Sequence, residues 1–228
     1  MATLLKGGAL FLHVPKTGGT FLRKLFVALD LVKINFARDH SDMRRTLHVS
    51  KHHPGSFLYS SLRLGRSVER EAKRSFKFCF VRHPFTWYES CWQFMEDLGW
   101  QLPLPPPSRF GFYNDPWHPL EPVAQAADKD FNSFMRKMTR QHPGYLTRLY
   151  EQYAPAGWID FVGRQENLIA DARHILDHLK VNYDESIFSS LGRVNASKTL
   201  RPVWSEENKK MICELEKGVF EKYGYETG

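Results

Sequence analysis

The sequence predicts an α/β fold, with a central parallel sheet and helices on both of its faces. Two short apolar runs, each followed by helical spacing, carry that reading. Ala9-Leu10-Phe11-Leu12-His13-Val14 ends at Pro15, and Phe76-Lys77-Phe78-Cys79-Phe80-Val81 ends shortly before Pro84. Runs of this length, bounded by turn residues, are typical of strands buried on both faces. After the first run, Phe21, Leu22, Leu25, Phe26 and Leu29 recur at helical spacing. After the second, Pro84 suits a first helical turn, where its missing N–H costs nothing, and residues 85–98 read as a buried, aromatic-rich helix.

The remaining elements follow in order. Thr46-Leu47-His48-Val49-Ser50 reads as a second strand, with residues 51–55 as the loop after it. Residues 99–122 carry Pro103, Pro105, Pro106, Pro107, Pro116, Pro119 and Pro122, which excludes regular structure there. Phe110, Phe112, Tyr113 and Trp117 within it suggest a loop packed on the body, either a binding loop or cover for a core edge. Residues 131–153 read as helix with a break near Pro143-Gly144, and residues 158–162 as a fourth strand. Leu168, Ile169, Ala172, Ile175, Leu176 and Leu179 form one apolar helix face. Residues 205–223 read as a last helix, with Ser205 as N-cap and Met211, Ile212, Leu215 and Val219 inward. No internal repeat is visible, and residues 1–228 are expected to form one domain.

Bulk properties narrow the function classes. A chain of 228 residues that is 42% hydrophobic can fill one sizeable core and is short for two full domains. The net charge of +7 and pI near 9.3 suggest an anionic ligand without choosing one. The basic residues are scattered in short knots such as Arg44-Arg45, so no nucleic-acid arm is expected. Three cysteines with no CxxC argue against a disulfide framework and against a zinc site. No apolar stretch approaches the ~20 residues of a membrane span. The start, with Lys6 its only basic residue before Leu12, reads as a first strand and not as a signal peptide. The chain is therefore expected to be soluble and cytoplasmic, with a luminal domain cut from a membrane anchor as the alternative.

Two constellations carry chemistry. In His13-Val14-Pro15-Lys16-Thr17-Gly18-Gly19-Thr20 a strand ends, two glycines turn the backbone and a helix begins. Free N–H groups and the helix dipole at that point favour an anion; Lys16 adds a mobile charge, and Thr17 and Thr20 add hydroxyls. The lysine precedes the glycines, so this is not a Walker A loop. In Val81-Arg82-His83-Pro84, with Ser90 two turns along the next helix, Arg82 stands at the carboxyl end of a strand, where open α/β sheets bind ligands. Its fork can bond two phosphate oxygens at once.

Pro15-Lys16-Thr17-Gly18-Gly19-Thr20 resembles the 5′-phosphosulfate loop of sulfotransferases that use 3′-phosphoadenosine 5′-phosphosulfate (PAPS). Val81-Arg82-His83-Pro84 with Ser90 resembles their 3′-phosphate strand and helix. The wording is most similar to the carbohydrate sulfotransferases of the heparan sulfate 2-O type and their bacterial relatives. Weaker similarities lie at 161–168, at Val194-Asn195-Ala196-Ser197 and at Tyr223-Gly224-Tyr225, so the resemblance spans almost the whole chain. One departure stands out: the position after the arginine is often acidic in the family, and here it is His83.

The resemblance implies a P-loop-like three-layer fold and transfer of a sulfuryl group from PAPS to a hydroxyl, with a carbohydrate as the expected acceptor. It implies donor contacts from Pro15, Lys16, Thr17, Gly18, Gly19, Thr20 and Phe21, from Arg82 and Ser90, and from Asn195, Ser197 and Lys198. In-line displacement builds charge on the leaving oxygen, which Lys16 is placed to meet. No metal is required. The acceptor hydroxyl needs a base, and the family branch uses a histidine or a glutamate. His52 is the first candidate, then His53 and His48, with Glu89 and Glu166 behind them. Two other readings stand beside this one: a non-catalytic binder of nucleotides or anionic glycans on the same fold, and a P-loop kinase-like phosphotransferase. The latter needs a lysine after the glycines and an acidic magnesium ligand, neither of which is evident.

Overall fold

The computed structural model describes residues 2–37, 39–62, 65, 67–102, 118–192 and 201–227. They form two compact units, the first from residues of 2–81 and 152–192, the second from those of 82–102, 118–151 and 201–227.

In chain order the first unit begins with β1 (Ala2–Leu5), β2 (Ala9–Leu12), α1 (Gly19–Ala28), β3 (Val32–Phe36), α2 (Met43–His52), α3 (Pro54–Ser61), α4 (Val68–Arg74) and β4 (Phe76–Val81). The second unit holds α5 (Pro84–Asp97), α6 (Glu121–Gln125), α7 (Phe131–Gln141) and most of α8 (Tyr145–Tyr153). The chain returns to the first unit for β5 (Phe161–Arg164), α9 (Leu168–His178) and α10 (Ser186–Ser190). It ends in the second with α11 (Glu206–Leu215) and α12 (Lys217–Tyr223).

Among the described residues five strands make one sheet, ordered β3-β1-β2-β4-β5. Strands β2, β4 and β5 are parallel, as expected, but β1 runs antiparallel to both β2 and β3. The sheet is therefore mixed. The reason lies in Gly7 and Gly8, whose φ values of +89° and +88° let the chain reverse after Lys6. The opening residues are thus a hairpin and not a single strand. β3 is an edge strand whose Lys33 and Asn35 point to solvent.

The expected strand at 46–50 is instead the middle of α2. Asp42 caps that helix by accepting from the Arg45 N–H at 2.7 Å, and Met43, Thr46 and Ser50 form its buried stripe at spacings of three and four. The cap and the stripe outweigh the local alternation of Leu47 and Val49. The fourth strand begins later than expected, at Phe161, because Pro155 to Trp158 forms a turn and Trp158 is exposed. Pairing with β4 starts where Lys77 N–H donates to the Asp160 carboxylate at 2.7 Å. Gly163 in β5 is forced by a neighbour: a Cβ there would lie 2.5 Å from the Phe80 ring.

α1 and α9 pack on the sheet face that carries Phe11, Phe78 and Phe80. Leu4, Leu10, Leu12, Cys79 and Val81 are buried as well, so both faces are covered, as a parallel core requires. Each such large apolar side chain contributes about 1.5–3 kcal/mol on burial. On α9, Ala172, Ile175 and Leu176 are fully buried, but Ile169 is exposed; the apolar face is narrower than the spacing suggests.

In the second unit α5 spans 84–97 with Pro84 in its first turn and Trp87, Tyr88, Cys91 and Met95 buried. α7 and α8 are separated at Pro143-Gly144, where Gly144 has φ +63°. Ser205 caps α11 by accepting from the Asn208 N–H at 3.3 Å. The last helix is interrupted at Glu216, whose fully buried carboxylate accepts from Tyr88 OH (2.6 Å), Leu146 N–H (3.0 Å), and the N–H (2.8 Å) and hydroxyl (2.7 Å) of Thr147. Burial and this carboxylate push the Tyr88 hydroxyl's pKa well up. Leu146 and Thr147 lie in the first turn of α8, so Glu216 satisfies amides the helix itself leaves open. Of the proline-rich stretch, residues 103–117 lie outside the described residues. Its end is not irregular: Glu121 and Pro122 open α6, a position where proline is tolerated. Among the described residues no helix is long and apolar enough to cross a membrane.

Candidate functional site

Between β2 and α1 the chain makes the turn that the sequence marks as an anion seat. Lys16 and Gly18 are both left-handed, with φ +64° and +87°. For a lysine that conformation is strained, and strain of this kind is found where surrounding contacts over-determine the backbone. Thr17 is one such contact: it is buried, and its hydroxyl donates to the Val14 carbonyl at 3.0 Å. The glycines are both required. A Cβ on Gly18 would meet the Leu168 side chain at 3.0 Å, and a Cβ on Gly19 would lie 1.9 Å from His13 Cδ2.

α1 then opens with no side-chain cap and no acidic residue in its first turn. The Phe21 and Leu22 amides bond to Gly18 O at 3.0 and 3.2 Å. The positive end of the helix dipole is thus left uncapped by protein side chains beside the half-buried Lys16 and exposed Thr20. Phe21, expected among the donor contacts, sends its ring into the core; Pro15 is buried under the turn.

His13 is the support the sequence reading did not single out. It is 8% exposed, stacks on Phe11 with centroids 5.9 Å apart, and meets the His40 ring at 4.4 Å. His40 Nδ1 lies 3.1 Å from the His13 carbonyl, so that nitrogen carries the proton, and Tyr153 OH donates to the His40 carbonyl. Burial, then the charge of His40, hold the His13 imidazole well below its ordinary pKa. Its Nδ1 has no hydrogen-bond partner among the described residues.

In the second unit Arg82 is half-buried and anchored through its backbone. Its N–H donates to Tyr150 OH at 3.0 Å, and Tyr150 OH donates to its carbonyl at 2.9 Å. Its Nε donates to Thr86 Oγ1 at 3.0 Å, which sets the direction of the guanidinium. His83 caps α5: Nδ1 accepts from the Phe85 N–H at 3.3 Å, while Nε2 donates to the Glu226 carbonyl at 3.0 Å. Ser90 lies on the same helix, half-buried. Trp87, Tyr88 and Trp92 are core side chains.

The base candidates stand on a helix and not on a loop after a strand. His48 and His52 are exposed one turn apart on α2, their rings 4.7 Å from each other. His53 ends that helix, and its Nδ1 accepts from the Gly55 N–H at 3.1 Å; burial lowers its pKa. Glu89 accepts from Trp204 Nε1 at 2.8 Å. Glu166 sits on the short turn between β5 and α9, two residues before the Leu168 that touches Gly18. Asn195, Ser197 and Lys198 lie outside the described residues. Among the described residues no three His, Cys, Asp or Glu side chains gather to hold a metal.

No curated protein and no solved structure matches the chain. A family model does: the one described as the sulfotransferase family matches residues 6–221. With nearly its whole length matched, the chain belongs to the sulfotransferase family.

Proposed function

We propose that the chain transfers a sulfuryl group from PAPS to a hydroxyl of a carbohydrate, on a P-loop-like fold. The uncapped start of α1, placed after a strained Lys16 and two irreplaceable glycines, is the observation that carries the donor half of this reading. It suits a phosphosulfate: amides and dipole hold the anion, and the ammonium of Lys16 meets the charge that grows on the leaving oxygen. Arg82, its guanidinium steered by Thr86, takes the 3′-phosphate with Ser90. Asn195, Ser197 and Lys198 complete the donor contacts. The net charge of +7 and the likeness of the motifs to carbohydrate sulfotransferases support a glycan acceptor. Cys79, Cys91 and Cys213 join in no disulfide, which suits a cytoplasmic setting.

His52 is the base in this reading. It is exposed on α2, and imidazole is a side chain suited to general-base work. His53 ranks after it because the Gly55 amide already occupies its Nδ1; His48 shares the exposed face, and Glu166 is the carboxylate to try next.

The reading predicts that adenosine 3′,5′-bisphosphate binds far more tightly than ATP in calorimetry without metal. ATP binding that equals it, or that depends on magnesium, contradicts the donor assignment. Two substitutions separate the roles. Arg82→Ala is expected to weaken the bisphosphate by about 2 kcal/mol or more, the scale for losing one side of a desolvated charge pair. His52→Ala is expected to leave that affinity unchanged and lower kcat by about 10². Unchanged bisphosphate affinity in the first, or full turnover in the second, removes the residue from its assigned role.

A further inference from the structure

We propose that His13 is a positioning residue, a ring wedged against Gly19 that sets the backbone of the Lys16–Gly19 turn, with His40 holding the wedge in place. The proposal rests on reading that turn as the donor's anion seat.

Contact geometry carries it. The space a Cβ would need at Gly19 is filled by His13, with Cδ2 at 1.9 Å and Nε2 at 2.1 Å from the ideal Cβ position. Gly19 is the first residue of α1, so the ring abuts the backbone that presents the first helical amides. Behind the ring stand Phe11 at 5.9 Å and His40 at 4.4 Å, and His40 Nδ1 donates to the carbonyl of His13 itself. Tyr153 ties the His40 backbone in turn. The ring therefore cannot retreat, and the turn cannot relax toward it. Lys16 keeps its left-handed φ of +64° within the same restrained segment.

A wedge needs a flat ring, not a charge. Among the described residues the groups whose charge bears on His13 are His40, Arg23 and Lys16, all cationic when protonated. Asp39, beside His40 in the chain, is paired with Arg23 at 3.8 Å. Protonating His13 puts a positive charge into that buried, cation-lined place. Its folded pKa is depressed, so its contribution to stability is complete above the unfolded value of about 6.5 and is lost as pH falls below it.

The test is a double-mutant cycle on Gly19→Ala and His13→Ala, read by thermal melting and by calorimetry with adenosine 3′,5′-bisphosphate. Gly19→Ala is expected to lower Tm by at least ~4 °C in the wild-type background and by much less when His13 is already alanine. His13→Ala alone is expected to weaken the bisphosphate at least about tenfold, because the turn loses its backstop. His13→Phe keeps the ring, and its affinity is expected to stay within about threefold of wild type. Between pH 7.5 and 5 it is also expected to lose less Tm than the wild type does. His40→Ala, which leaves the ring itself intact, is expected to give a weaker version of His13→Ala.

Equal Tm losses from Gly19→Ala in both backgrounds overturn the wedge. Wild-type affinity in His13→Ala overturns its role in positioning. A wild type that binds no bisphosphate refutes the donor reading, and the melting cycle alone then decides the wedge.

Discussion

Replacing Lys16 by alanine is expected to lower kcat by about 10²–10³ while changing bisphosphate affinity far less. The magnitude is that of one preorganised donor aimed at developing charge. In the proposed reaction the division follows from timing: the charge that Lys16 would meet grows as the bridging S–O bond breaks, so its contribution would be larger in the transition state than in the ground state. The structure sharpens the expectation. Lys16 occupies a left-handed φ of +64°, which an L-residue adopts at a cost of about 1–2 kcal/mol. Glycine carries no such cost, so Lys16→Gly is expected to match or exceed the wild type in Tm while losing the same activity. Lys16→Arg is not expected to rescue fully, since a flat fork is a poor substitute for a compact ammonium in a tight turn. Steady-state kinetics with the donor varied up to saturation checks the group. Intact kcat with only a raised KM for the donor would show that Lys16 contacts ground-state phosphate alone.

Replacing Glu216 by alanine is expected to destabilise the protein by about 3–5 kcal/mol, the scale for several buried donors that lose one acceptor together. Four donors lose their acceptor at once: Tyr88 OH, Leu146 N–H, and the N–H and hydroxyl of Thr147. Two of them are first-turn amides of α8 that have no partner within the helix. Each unsatisfied buried donor costs about 1–3 kcal/mol, less than additively, because the emptied space relaxes and admits water. Glu216→Gln keeps one carbonyl oxygen and loses the charge, so a smaller loss of about 1–3 kcal/mol is expected. Equilibrium urea unfolding measures both. An alanine variant within about 0.5 kcal/mol of wild type, the range of ordinary surface substitutions, would show that these groups find other partners.

The parts legible in the sequence are those written in neighbouring residues. β2, the turn and α1 follow one another within twenty residues, so apolar run, glycine pair and helical spacing could be read together. β4 and the proline-started α5 were legible for the same reason. The mixed sheet was not, because an apolar run reports burial and not direction; only Gly7-Gly8 hinted at the reversal. At 46–50 a five-residue alternation suggested a strand, while the cap that makes it helix, Asp42, stood outside that window. This error placed His48 on a strand and His52 on the loop after it, whereas they share an exposed helix face. The wedge at Gly19 and the network at Glu216 depend on packing. His13 meets Gly19 only after the turn folds back, and Glu216 finds Tyr88 across 128 positions of sequence. No periodicity records such contacts. The departure at His83 was visible as a substitution, but its meaning needed the Phe85 amide and the Glu226 carbonyl on either side of the ring.

The most direct test of the central claim is transfer of labelled sulfate from PAPS, without added metal, across a panel of glycans, phenols and small alcohols. The account predicts label on a hydroxyl of at least one glycan, with adenosine 3′,5′-bisphosphate released in equal amount and with phenols and small alcohols poorer acceptors. Tight bisphosphate binding with no transfer to any member of the panel would make the chain a binder that has kept the fold. Phosphoryl transfer from ATP with magnesium, in place of sulfuryl transfer, would contradict the account outright.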